Sequence, residues 1–134
     1  MTSYSSEGFL SGASSLTTVS FEEGTASIPS YALYGASSVT KVIIPDGVTG
    51  GIGYEAFSGC VNLTSVTIPD GIISIGRYAF ENCKSLTSVT IPDSVTSIGD
   101  YAFQYCYKLT EISLPKNLSN VGSYVFSQTK IASL

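Results

Sequence analysis

Between Leu86 and Asp93 the chain reads Leu-Thr-Ser-Val-Thr-Ile-Pro-Asp, with apolar residues at the first, fourth and sixth positions. The alternation Val89-Thr90-Ile91 is that of a half-buried strand, and Pro92, which has no backbone donor, stops it. Val95, Ile98, Gly99, the group Tyr101-Ala102-Phe103 and Cys106 follow. The same order of apolar, polar and turn positions recurs along the chain. The predicted unit is a short strand, a proline-terminated turn and an apolar second half that closes a coil.

The period is fixed by Cys60, Cys83 and Cys106, which are 23 residues apart (83 − 60 and 106 − 83). Leu16, Val39, Leu63, Leu86 and Leu109 extend that register, with one gap of 24 between 39 and 63 (63 − 39). The surplus residue is read as a glycine in Thr49-Gly50-Gly51-Ile52, opposite Ile73-Ser74-Ile75 in the next unit. A repeat of this length builds a solenoid, in which like residues of parallel coils stack about 4.8 Å apart. The inward ladders are Leu63/Leu86/Leu109, Val66/Val89/Ile112, Ile68/Ile91/Leu114, Ile52/Ile75/Ile98/Val121 and Phe57/Phe80/Phe103/Phe126. Gly53, Gly76, Gly99 and Gly122 share a column that calls for either positive φ or close backbone approach. One coil cannot bury its own apolar face, so stability belongs to the stack.

The joint spacing of Ile-Pro-Asp, Ile-Gly, Ala-Phe and Cys, as in Ile91-Pro92-Asp93, Ile98-Gly99, Ala102-Phe103 and Cys106, resembles the BspA-like (treponemal-type) leucine-rich repeat, most closely from Val39 to Phe126. The resemblance implies a right-handed solenoid of about five coils with a parallel sheet on one face. It also implies a cell-surface or secreted adhesin that binds host matrix or microbial surface ligands, and it supplies no catalytic residues. Departures lie near the start, where Phe9-Leu10 and Ala32-Leu33 replace Ala-Phe, Ala13 and Ala36 replace Cys, and Pro29 replaces the turn glycine. The fold class is thus a β-rich repeat solenoid, with residues 1–134 forming a single leucine-rich-repeat domain. The chain begins and ends inside a unit, with Gly8 to Ser15 matching the second half of a coil and Lys130 to Leu134 starting a new strand, so it reads as an excerpt of a longer array.

Composition narrows the function. With 134 residues, 12% charged residues and a net charge of −4, solubility rests on Ser, Thr, Asn, Gly and tyrosine hydroxyls. Six Lys plus Arg are too few to neutralise a run of phosphates, so nucleic acid is not an expected partner. No apolar run approaches the roughly 20 residues of a membrane span, so this segment is not expected to insert, and Met1 to Glu7 carries no signal-peptide pattern. The absence of histidine removes Ser-His-Asp and Cys-His catalysis and the usual general base, and no enzymatic activity is expected. Neither cofactor nor metal is expected. The acidic column Glu23, Asp46, Asp70 and Asp93, broken by Lys116, reads as turn-forming residues after proline. Gly50 to Glu55 matches a calcium-binding nonapeptide only superficially and has no tandem copies. The cysteine column accepts Ala36 and Thr129, so the thiols are read as small buried hydrophobes, reduced and shielded.

Two surfaces remain as candidates for binding a protein or glycoprotein of a host or microbial surface. Outward positions of the strands are Lys41, Ile43, Ser65, Thr67, Ser88, Thr90, Glu111 and Ser113, bordered by the threonine column Thr17, Thr40, Thr64, Thr87 and Thr110. The second surface is an aromatic flank of Tyr78, Tyr101, Tyr105, Tyr107 and Tyr124, of the residue type common in binding hot spots. The alternatives to adhesion are a spacer array that presents another domain and, because the outward hydroxyls and the threonine column form a regular array interrupted by Lys41, Ile43 and Glu111, an ice-binding solenoid.

Overall fold

The computed structural model describes Thr2–Tyr4, as backbone, and residues 17–132. Leu16, Phe9-Leu10, Ala13, the half-coil Gly8 to Ser15 and Ser133-Leu134 lie outside the described residues. All secondary structure among the described residues is strand and turn. The strands are β1 (Thr2–Tyr4), β2 (Thr18–Phe21), β3 (Lys41–Ile43), β4 (Gly51–Ile52), β5 (Ser65–Thr67), β6 (Ser74–Ile75), β7 (Ser88–Thr90), β8 (Ser97–Ile98), β9 (Glu111–Ser113) and β10 (Asn120–Val121). The chain is the β-rich repeat solenoid that its 23-residue period requires.

Each coil has three sides. On the first, β1, β2, β3 and β5 pair in parallel, and β7 and β9 continue the same side as a separate pair. On the second, β4, β6, β8 and β10 form another parallel sheet, joined at its start by a bridge from Ile28 to Ile52. The third is a flank of turns. There Tyr78, Phe80 and Asn82 donate their N–H groups to the carbonyls of Asp100, Ala102 and Gln104, and the equivalent three bonds recur at the other described junctions, all 2.7–3.0 Å long. Alternation of backbone hand aims these donors the same way: φ is positive at Tyr31, Glu55, Tyr78, Tyr101 and Tyr124, and again four residues later at Gly35, Gly59, Asn82, Tyr105 and Gln128.

Between the three sides lies one continuous apolar core, from Val19 to Val125. The phenylalanine ladder is its spine, with Phe57, Phe80, Phe103 and Phe126 stacked at centroid distances of 5.1, 5.1 and 5.8 Å. Those spacings follow the strand-to-strand repeat of the sheets on either side. At the last described coil the columns become accessible: Val121 is 55% exposed, whereas its column mates Ile52, Ile75 and Ile98 are buried. Ile112, Leu114 and Phe126 are likewise less covered than the residues they follow, because no described coil packs over them.

Two local features resolve or revise the sequence reading. Gly53, Gly76, Gly99 and Gly122 answer to close approach, since none has positive φ and a Cβ at Gly99 would lie 2.5 Å from the Arg77 amide nitrogen. The surplus residue is Thr49 and not a glycine. Gly50 donates to Ala26 just as Ile73 donates to Gly50, and Gly51 pairs with Ser74, so both glycines occupy regular positions. Their role is clearance, because a Cβ at Gly50 would come within 2.7 Å of the Ser27 Cβ.

Cys60, Cys83 and Cys106 are buried, unbridged thiols. Each donates through Sγ to a carbonyl of the preceding coil: Cys60 to Leu33, Cys83 to Phe57 and Cys106 to Phe80, at 3.1–3.2 Å. Burial pushes the Cys60 thiol up from 9.0 to about 12, against a smaller opposing effect of the backbone hydrogen bond, and burial moves Cys83 the same way. An unfolded thiol ionises near 9 while the folded one stays protonated. The stability so linked is whole below about pH 9 and is lost as pH rises toward 12. The urea midpoint should therefore fall more steeply above pH 9 in the wild type than in a Cys60→Ala, Cys83→Ala, Cys106→Ala variant, which keeps all the tyrosines. Parallel curves would contradict the desolvation of the thiols.

Candidate functional site

The first sheet alternates because its strands are flanked by core on one side only. Val42, Val66 and Val89 point inward and are buried, which turns Lys41, Ser65, Thr67, Ser88, Thr90, Glu111 and Ser113 outward as exposed residues, with Ile43 half-buried. Among the described residues, recesses lie along this side, three of which border the outward strand positions. The largest, about 660 Å³, is bordered by Lys41, Ile43, Thr67, Glu22, Glu23 and Asp46. A second of about 300 Å³ runs between β5 and β7 along Ser65, Thr67, Ser88 and Thr90, and a third of about 220 Å³ runs between β7 and β9 along Ser88, Thr90, Glu111 and Ser113. Together these recesses touch all eight outward positions of the strands.

The threonine column serves the backbone. Thr40, Thr64 and Thr110 each direct both the amide and the side-chain hydroxyl at the carbonyl of the preceding threonine. These three hydroxyls are thereby committed as donors to the backbone. Asp93 also bonds between coils, its carboxylate accepting from the Lys116 amide at 2.9 Å while the Lys116 ammonium stands 4.0 Å away. That pair is solvent-exposed and contributes little by charge alone.

On the flank, Tyr78, Tyr101 and Tyr124 stack with centroids 5.0 and 5.5 Å apart and nearly parallel rings. The column runs further than its sequence register: Tyr54, one position before Glu55, fills the place where Glu55 would fall, and Tyr31 continues the line edge-on at 5.4 Å. Arg77 lies over the Tyr78 ring at 5.1 Å. Tyr105 and Tyr107 form a separate tilted pair, 5.9 Å apart. Because the stacked rings occupy each other's faces, Tyr78 and Tyr101 present edges and hydroxyls to solvent. Tyr124, 66% exposed at the last described coil, offers an open ring face.

A family model for the BspA type leucine-rich repeat region matches six copies over residues 2–50 and 26–134, which is nearly the whole chain. The chain belongs to the BspA-type leucine-rich repeat family. Among solved structures it is similar to a leucine-rich repeat protein of T. pallidum, at 31% identity and TM-score 0.81 over 86% of this chain and 56% of that one. A leucine-rich cell surface protein of Faecalibacterium prausnitzii A2-165 is 32% identical with TM-score 0.83, over 99% of this chain and 36% of that one. A leucine-rich repeat protein of Eubacterium ventriosum is 29% identical with TM-score 0.81, over 89% and 32%. The chain thus spans between about a third and just over half of the length of these three leucine-rich repeat proteins. No curated protein sequence matches it.

The sheet side carries one irregularity that matters for its chemistry. The Thr87 amide makes no bond to the Thr64 carbonyl, whereas the amides of Thr40, Thr64 and Thr110 make the equivalent bond at 2.7–3.1 Å. Hydrogen exchange at Thr87 should accordingly be about tenfold or more faster than at Thr40, Thr64 and Thr110, when read by residue-resolved NMR. Equal protection at all four amides would mean that the first sheet is continuous in solution.

Proposed function

We propose that this BspA-type segment is a non-enzymatic binding module of a cell-surface or secreted protein. It attaches through the outward side of its first sheet to a protein or glycoprotein on a host or microbial surface. The observation that carries the reading is the coincidence of the three recesses with the eight outward strand positions, on a side whose short hydroxyl side chains let a large partner approach the backbone closely. The cell-surface description of the F. prausnitzii relative supports the location. No helix among the described residues is long and apolar enough to cross a membrane.

The aromatic flank is the rival contact surface, favoured by the open ring face of Tyr124. Two variants separate them. Lys41→Glu with Glu111→Lys and Ser88→Tyr with Thr90→Tyr alters only exposed positions, so folding should survive while attachment to immobilised surface glycoproteins is lost. Tyr101→Ser with Tyr105→Ser should leave attachment within about twofold of the wild type. Loss in the flank variant alone moves the contact to the tyrosines. Attachment retained by both variants removes both surfaces as the contact, and a wild-type segment that does not attach at all overturns the binding reading in favour of a spacer.

A further inference from the structure

The opening between β5 and β7 is a local, preformed break in an otherwise continuous stack. No ladder joins the two strands, and neither the Thr87 amide nor its hydroxyl reaches the Thr64 carbonyl. The coils are nevertheless pinned on both sides of the break. Before it, Ser85 Oγ donates to the Val61 carbonyl at 2.7 Å, and after it Ser94 Oγ accepts from the Gly71 amide at 3.0 Å and donates to the Ile72 carbonyl at 2.7 Å. The second sheet and the flank stay fully bonded across the same junction. What opens is a slot of about 300 Å³ with clamped ends.

Its dimensions and lining decide what fits. An inserted peptide strand would hold β5 and β7 about 9.6 Å apart, twice the strand spacing, yet their Cα atoms still approach within 8 Å. The volume matches the low end of small-ligand sites. Hydroxyls of Ser65, Thr67, Ser88 and Thr90 surround a floor where the largely buried Val66 and Ile68 leave a little apolar surface, and no charged side chain lines the slot. An ion would find no countercharge there. A purely apolar ligand would cover those hydroxyls without giving them partners, which weakens its binding. A sugar ring satisfies both demands, since its rim of hydroxyls both donates and accepts while its C–H face lies over the little apolar surface that Val66 and Ile68 leave exposed.

We infer that the slot between β5 and β7 binds one neutral sugar unit of a glycan. This inference rests on the sheet-side reading above and names the chemical class that the surface recognises. The test is an amide-detected NMR titration of the full chain with glucose, galactose, mannose and N-acetylglucosamine, run beside a Thr67→Val, Thr90→Val variant that keeps side-chain shape. At least one sugar should give saturable shifts centred on Ser65, Thr67, Thr87 and Ser88, weakened about tenfold or more in the variant. The variant's remaining spectrum reports that it is folded. Shifts that never saturate with any of the four sugars, that centre elsewhere, or that are unchanged in the variant overturn the proposal, as does a slot that holds only water. Glycoprotein attachment that persists without any sugar response would leave the sheet-side reading standing and remove this one alone.

Discussion

Backbone contact between successive coils is the constraint from which the rest of the molecule follows. A 23-residue turn of chain leaves one edge of every strand unpaired and one side of every apolar ring uncovered, and both are completed by the next coil. The glycine column sets how closely this can happen. At Gly76 a Cβ would stand 2.7 Å from the Ile52 carbonyl oxygen, so the chain passes its neighbour with only hydrogen between them. That approach keeps the phenylalanine rings in contact, brings Sγ of each cysteine to the carbonyl of the coil before it, and lets the flank amides reach their acceptors. Widening the glycine approach at one junction would therefore disturb core, second sheet and flank together, whereas the first sheet opens without them between β5 and β7.

The three sides share this scaffold and differ in what they leave available. The flank commits its donors to the next coil and its ring faces to neighbouring tyrosines. On the second sheet, Ser74 and Ser97 pair in register and are half-covered. The first sheet keeps its outward side chains free, uncharged over most of its length and rich in hydroxyls, and it holds the recesses. A BspA-type coil can thus vary its outward strand residues with little effect on stacking, because the groups that hold coils together lie inside or in the backbone.

Much of this was legible in the residues. The ladders of Leu, Val, Ile and Phe gave the period, the core and the outward positions, because a packed repeat must place like residues in like environments. Less legible was the backbone hand of the flank. Tyrosine at positive φ is uncommon, and only Gly35, Gly59 and Asn82 in one column hinted that a left-handed position recurs there. Glu55 broke the tyrosine column in register, and only three-dimensional stacking reveals that Tyr54 takes its place. The slot was invisible for a plain reason: Leu63 to Asp70 and Leu86 to Asp93 are the same eight residues, so nothing in the strands themselves marks their junction as open. The second sheet escaped notice because its two-residue strands are too short to show alternation.

The close approach of coils is open to direct measurement through two glycines that differ only in clearance. At Gly99 a Cβ would meet the backbone of Gly76 and Arg77 within 2.8 Å, whereas at Gly47 nothing lies within 4 Å. Urea unfolding of Gly99→Ala should show a loss of about 1–3 kcal/mol or more, the range for overpacking a fixed backbone. Gly47→Ala should stay within about 0.5 kcal/mol of the wild type. Equal stability of the two variants would contradict a stack held together by backbone contact at the glycine column.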